Sequence, residues 1–166
     1  MNRRCTPLFL LAVAGSLCAA DVSPVRVRVE KTGKSDTNAY KTVQTRSLTI
    51  SVSNASREPL ELKVKYAIFG RDIKSKEVVV VLDGELPLSV KAQATDKVQT
   101  PLAHAVSEEA RIGSKGKTDD AGNRIMGQGV QVWKGETMVA EVYDPESLKE
   151  SFGKAPKAKV IEKKKK

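Results

Sequence analysis

His104 is the only histidine in the 166-residue chain. A Ser-His-Asp relay needs no more than one, but the Gly-x-Ser-x-Gly turn that presents a hydrolase serine is absent from the sequence. A histidine-rich zinc site is excluded by count. The chain has 20 carboxylates and will always offer some pair at glycosidase spacing, so pairing alone carries no information. Asp119-Asp120-Ala-Gly-Asn123 has the oxygen ligands calcium takes and a glycine among them. It lacks the alternation and the distant bidentate Glu of a helix-loop-helix calcium site, and is read as a solvated loop. The expectation is a non-enzymatic chain with no catalytic residue, no metal and no cofactor.

Recognition is better provided for. Trp133, the only tryptophan, stands beside Lys134 and ten residues before Tyr143. An exposed indole at a loop tip stacks on a sugar face or anchors a protein partner at small entropy cost. The competing reading folds the ring onto a neighbouring loop as a local cap. At the end of the chain stand Lys163, Lys164, Lys165 and Lys166. Each lysine near an anionic surface contributes roughly 1 kcal/mol, over a reach of about 8 Å at physiological salt. Such a tail suits lipopolysaccharide, acidic glycans or an acidic partner alike, and serves equally as a solubilising tail with no partner.

The N-terminus is expected to be a secretory signal. Arg3 and Arg4 supply the positive start, residues 8–17 an apolar run too short to span a bilayer, and Cys18-Ala-Ala20 the small-residue ending, with cleavage after Ala20. Cys18 raises a lipoprotein alternative, disfavoured because Leu17 precedes it. Cleavage removes Cys5 and Cys18, the only cysteines, so the exported chain has to hold itself together by core packing. No membrane span remains, and the expected place is the periplasm or cell surface of a bacterium.

The net charge of +9 is unevenly placed: Arg3 and Arg4 belong to the signal, and seven lysines against Glu162 lie beyond residue 153, leaving residues 21–153 near +1. Nucleic acid is therefore not expected as a partner of the domain, which also lacks interleaved aromatics for stacking. Three regions are expected: a signal at 1–20, one domain at 21–153, and a disordered lysine-rich tail at 154–166.

Residues 48–69 organise the domain. Leu48, Ile50 and Val52 alternate with polar residues, and after the bend at 54–59 so do Leu60, Leu62, Val64, Tyr66 and Ile68. Two strands forming one layer, with a second layer over their apolar face, are expected. Val25, Val27 and Val29 mark an earlier strand, followed by a polar loop over 31–40, with a bulge or bend near 45–47. Residues 78–82 form a continuous apolar run of the kind covered on both faces, Asp83-Gly84 reads as a tight turn, Pro87 as a sheet edge, and 92–100 as more strand. Residues 102–112 fit a short helix or a crossing strand, and 113–129 a long exposed loop.

Around Trp133-Lys134-Gly135 a three-residue loop would pair Val132 with Glu136 and Val130 with Met138, turning Val130, Val132, Met138, Ala140 and Val142 inward. Gln131, Val139, Glu141 and Tyr143 would then face outward. Asp144-Pro145 opens a short helix ending at Gly153, with Asp144 as its cap and Leu148 and Phe152 folded back on the sheet.

This adds up to an all-β immunoglobulin-like antiparallel β-sandwich of seven or eight strands, with a short C-terminal helix and a disordered basic tail. On Tyr66-Ala-Ile-Phe-Gly70, Gly129-Val-Gln-Val-Trp-Lys-Gly135 and Tyr143-Asp-Pro-Glu-Ser-Leu148, the chain resembles small secreted immunoglobulin-like proteins of mucin-dwelling gut bacteria, one of which accompanies type IV pilus-like surface proteins. The resemblance implies an interaction module at the cell envelope. Its partner would be an envelope or pilus-like surface protein or, alternatively, acidic or mucin glycans.

Overall fold

The computed structural model describes residues 23–113 and 116–158. The expected signal at 1–20 and the lysines from Lys163 to the end lie outside the described residues. Among the described residues, no helix is long and apolar enough to cross a membrane.

Among the described residues ten strands form, all paired antiparallel: β1 (Val25–Thr37), β2 (Lys41–Asn54), β3 (Leu60–Asp72), β4 (Val78–Val90), β5 (Thr95–Gln99), β6 (Ala103–Glu108), β7 (Arg111–Gly113), β8 (Gly116–Thr118), β9 (Ala121–Lys134) and β10 (Thr137–Asp144). One ladder runs β1-β2-β6-β9-β3-β4, with β5 also on β2 and β10 also on β9, while β7 and β8 form a small separate hairpin. The ladder folds over where Ala121 and Gly122 of β9 meet the end of β6. Two layers result, β1-β2-β5/β6 facing β4-β3-β9-β10, the strand order of an immunoglobulin-type sandwich.

The alternating parities of 48–69 are as expected, but β2 and β3 do not pair with each other. They stand in opposite layers and press their apolar faces together: Leu48, Ile50 and Val52 share one core with Leu62, Val64, Tyr66 and Ile68, and with Val130 and Val132 of β9. Buried Asn54 holds the crossing between layers. Its amide donates to the carbonyls of Glu58 (2.7 Å) and Lys91 (3.2 Å), and its Oδ1 accepts from the Ser56 N–H (2.9 Å).

Several expected loops are strand. The polar stretch after Val29 continues β1 to Thr37, in unbroken register with β2. The parity slip near residue 46 is therefore no bulge against β1. It marks where β2 changes its other partner, from β6 at Arg46 to β5 at Thr49. Between them the Thr100 hydroxyl accepts the Leu48 N–H at 2.9 Å, so the break leaves no orphan donor.

Asp83-Gly84 makes no turn. β4 runs straight through, with Gly84 opposite Tyr66, where a Cβ would lie 2.6 Å from the phenol oxygen. A turn does interrupt 92–100, at 91–94, before β5. Residues 102–112 take the strand alternative as β6, and 113–129 are β8 and most of β9.

Two of the glycines that made 113–129 read as loop, Gly127 and Gly129, serve a different purpose. A Cβ on Gly127 would lie 2.3 Å from the Asp144 carbonyl and 2.4 Å from Leu148, and one on Gly129 would lie 2.8 Å from Phe152 and Tyr143. They let a 3-10 helix, Glu146–Ser151, lie on the outer face of the second layer. There Leu148 and Phe152 join Ala67, Phe69 and Val80 in a second apolar cluster. The folding back of Leu148 and Phe152 is as expected, and it explains why 78–82 is apolar on both faces.

Asp144 is not the cap. Pro145 takes that position with no side-chain bond, and the Asp144 carboxylate accepts instead from Lys31 (2.7 Å) and Gln128 (3.1 Å). The chain also stays with the domain past 153. Val80 donates to the Pro156 carbonyl and accepts from the Ala158 N–H, both at 2.8 Å, and Lys157 pairs with Asp83 at 3.0 Å. The segment 154–158 is thus an extension of the fold along the β4 edge.

Truncating Leu148 to Ala is expected to cost about 2–5 kcal/mol, because it empties the second cluster, and Gly127→Ala about 1–3 kcal/mol, because backbone bars the new methyl. Urea denaturation measures both. Acid stability gives a second test. The hydrogen bond from Lys31, then its charge, holds the Asp144 carboxyl below its ordinary value. The ionised form therefore favours the fold, a contribution present above the unfolded carboxylate range near about 4 and lost as pH falls below it. Both side chains are about half exposed, which limits the effect to less than about 1 kcal/mol. Lys31→Gln is expected to flatten the fall in melting temperature on acidification.

Candidate functional site

The outer face of the second layer is divided across its strands. Register places Met138, Trp133, Lys63 and Pro87 side by side in one row; Glu141, Gln131, Lys65 and Glu85 in the next; and Tyr143, Gly129, Ala67 and Asp83 in a third. The 3-10 helix and 154–158 cover the face from the third row on, through Phe152 and Ala155. The first row carries no covering element, and the second is met only at its β10 end, where Lys149 of the helix pairs with the mostly buried Glu141.

Trp133 lies in this open part, as a strand residue and not at a loop tip. The hairpin closes with Lys134 opposite Thr137 around Gly135-Glu136, and Val139 is bulged out of register. This overturns the expected three-residue loop. Gly135 takes the left-handed backbone (φ 58°), so the tight turn is available and the bulge corrects parity afterwards. Val132 then faces Ala140 and Val130 faces Val142. Met138, expected inside, is 40% exposed beside Trp133, and Val139, expected outside, packs against the core. Lys134 is exposed at the turn.

Of the three expected recognition residues, Tyr143 is buried. Its ring meets Phe152 edge-on at 5.8 Å, and its hydroxyl accepts from Gln131 at 2.7 Å. Burial pushes the phenol pKa up. Gln131 in turn accepts the Trp133 indole N–H at 3.2 Å, and the Lys65 ammonium stands 5.0 Å from the centre of the indole ring. Tyr143 is thus a positioning residue, at the head of a chain that runs from the helix to the half-buried Trp133. Glu85 draws in Lys65 (3.3 Å) and Lys63 (3.4 Å), and the hydrogen bond from Lys65 is the main cause holding its carboxyl below the ordinary value.

Lys63, Lys65, Gln131 and Pro87 were not anticipated as neighbours of Trp133. Their outward parity was legible, but the pairing of β3 with β9 was not. His104 is exposed on β6 opposite Thr45. Asp120 accepts from the Ala110 N–H at 2.7 Å, and buried Asn123 lies within β9. Among the described residues, no three metal-ligating side chains converge.

No family model and no curated protein sequence matches this chain. Several solved structures resemble it in shape, two of them as follows. A crystal structure of a Bacteroides fragilis protein provisionally named a beta-galactosidase aligns with a TM-score of 0.44 and 15% identity over 69% of this chain. This chain spans 15% of that protein's length. A Northeast Structural Genomics Consortium target aligns with a TM-score of 0.39 and 10% identity, over 74% of this chain and 86% of the target. Neither likeness bears on what this chain does.

Replacing Lys65 by Met keeps the apolar stem and removes the charge over the indole. Stability is expected to change by less than about 1 kcal/mol, while the emission maximum of the only tryptophan shifts. An unchanged spectrum would show that Lys65 does not rest on the ring.

Proposed function

We propose that this chain is a non-enzymatic interaction module exported to the cell envelope, which docks through the open half of the β3/β4/β9/β10 face. One observation carries the docking surface. The chain covers half of that face with its own helix and leaves the other half bare where Met138, Trp133, Lys63 and Pro87 stand in a row. A half-exposed tryptophan held by Gln131 and Lys65 loses little conformational freedom on binding, the property that makes aromatic anchors effective at interfaces. Lys63, Lys65 and Glu85 supply a polar rim. Export rests on the leader-like residues 1–20. The partner class, an envelope or pilus-like surface protein, rests on the resemblance carried by 66–70, 129–135 and 143–148.

A carbohydrate-binding role is the second reading. The same indole favours it, since a ring displayed on a sheet stacks on a sugar face. Chain 21–166 immobilised against its own envelope extract is expected to capture a partner that Trp133→Ala loses by about thirtyfold or more, the loss of a hot-spot residue. Retention on mucin glycans that Trp133→Ala abolishes and deletion of residues 159–166 spares would transfer the role to carbohydrate. Binding of either kind that ignores Trp133→Ala would refute this face as the site.

A further inference from the structure

The inward positions of β1 and β2 change character halfway along the sandwich. Near the core they are Val25, Val27 and Val29 on β1 and Leu48, Ile50 and Val52 on β2. Continued at the same parity, they become Lys31, Gly33 and Ser35 on β1, and Arg46 and Gln44 on β2, with Gly33 opposite Arg46 and Ser35 opposite Gln44. Polar residues at positions facing the opposite layer leave a cleft of about 310 Å³ at this end, lined also by Lys34 and Thr45 of the hairpin and by Ile125 of β9.

Charge in this cleft is unbalanced. Lys31, Lys34 and Arg46 are among its lining residues, with no carboxylate among them. Asp144 reaches the cluster from outside the lining, and its carboxylate is engaged by Lys31 and by the Gln128 amide. Half-buried Arg46 has a neutral contact, Nη1 to Gln128 Oε1 at 3.5 Å, and no ion pair among the described residues. Lys34 likewise has no ion pair among the described residues. A partly desolvated guanidinium without a carboxylate is costly unless something else supplies the negative charge, and burial accordingly lowers the pKa of Arg46, against the opposing pull of Asp144.

We propose that this cleft binds a tetrahedral oxyanion, a sulfate or phosphate group borne by a small molecule. The planar Arg46 fork donates two parallel N–H groups to such a group, and Lys34 adds a point charge at the rim. The Ser35 hydroxyl, on the same sheet face as Arg46, is available for a remaining oxygen. A volume of 310 Å³ lies at the small end of ligand pockets, the size of the anion with one attached ring. This site is separate from the Trp133 face: Ile125 and Trp133 lie eight residues apart on β9, and Ile125 packs into the core between the layers.

Calorimetric titration of chain 21–166 with sodium sulfate and sodium phosphate, at constant ionic strength set with chloride, tests the proposal. Saturable binding is expected in the wild type and in Trp133→Ala, and at least about tenfold weaker binding in Arg46→Gln and in Lys34→Gln. Lys34 is exposed, so its substitution keeps the test valid where Arg46→Gln unfolds the chain. Amide shifts confined to the neighbourhood of Gly33 and Thr45 on adding sulfate would place the anion. N-acetylglucosamine 6-sulfate and glucose 6-phosphate distinguish the sources: the better ligand of the two names the ester, and either preference supports the site. Absence of saturable binding in the wild type, equal binding of unesterified sugar, or indifference to Lys34→Gln would overturn it.

Discussion

The apposition of the inner faces of β2 and β3 is the contact on which the rest depends. Leu48, Ile50 and Val52 meet Leu62, Val64, Tyr66 and Ile68 with no strand-to-strand hydrogen bonds between the two segments. After residue 20 there is no cysteine to staple the layers. Dispersion and the removal of apolar surface from water therefore hold them. The five residues between β2 and β3 turn the chain from one layer into the other, and Asn54 closes that turn by tying the carbonyls of Glu58 and Lys91 together. A side chain with donor and acceptor at one point suits a place where backbone groups of two layers meet away from water.

A second consequence follows for the outer face of the β4-β3-β9-β10 layer. Glycines at 127 and 129 remove the side chains that would hold the C-terminal segment away, and Leu148 and Phe152 occupy the space. Covering half of the face in this way fixes the other half. Phe152 orients Tyr143, Tyr143 receives the Gln131 amide, and Gln131 receives the indole N–H of Trp133. The open part of the face is thus a surface with defined side-chain positions, prepared by the covered part beside it. At the other end of β9 the inward positions of β1 and β2 are polar, and a cationic cleft takes the place of core.

Much of the fold was legible from period-two alternation, because a strand buried on one face writes its burial into its own residues. That held for 25–29, 48–52, 60–68 and 130–132. It failed where composition stood in for geometry. Asp83-Gly84 has the residues of a turn, yet Gly84 is there because the Tyr66 ring lies against it. Gly127 and Gly129 look like loop for the same reason: a residue that makes room for a neighbour is indistinguishable, in one sequence, from one that bends the chain. Residues 31–37 are polar on both faces and so gave no sign of strand, although they pair with 42–48 throughout.

By itself, the sequence determined the all-β class, the inward and outward faces of its strongly alternating strands, and the return of Leu148 and Phe152 to a sheet. These follow from local period and spacing, which need no knowledge of partners. Tertiary structure alone decided that β2 and β3 belong to opposite layers, that Trp133 stands beside Lys63, Lys65 and Met138, and that Arg46 and Lys34 line one cleft. Each is a pairing between segments distant in the chain, chosen by the packing of the whole core, and no single segment carries a record of it.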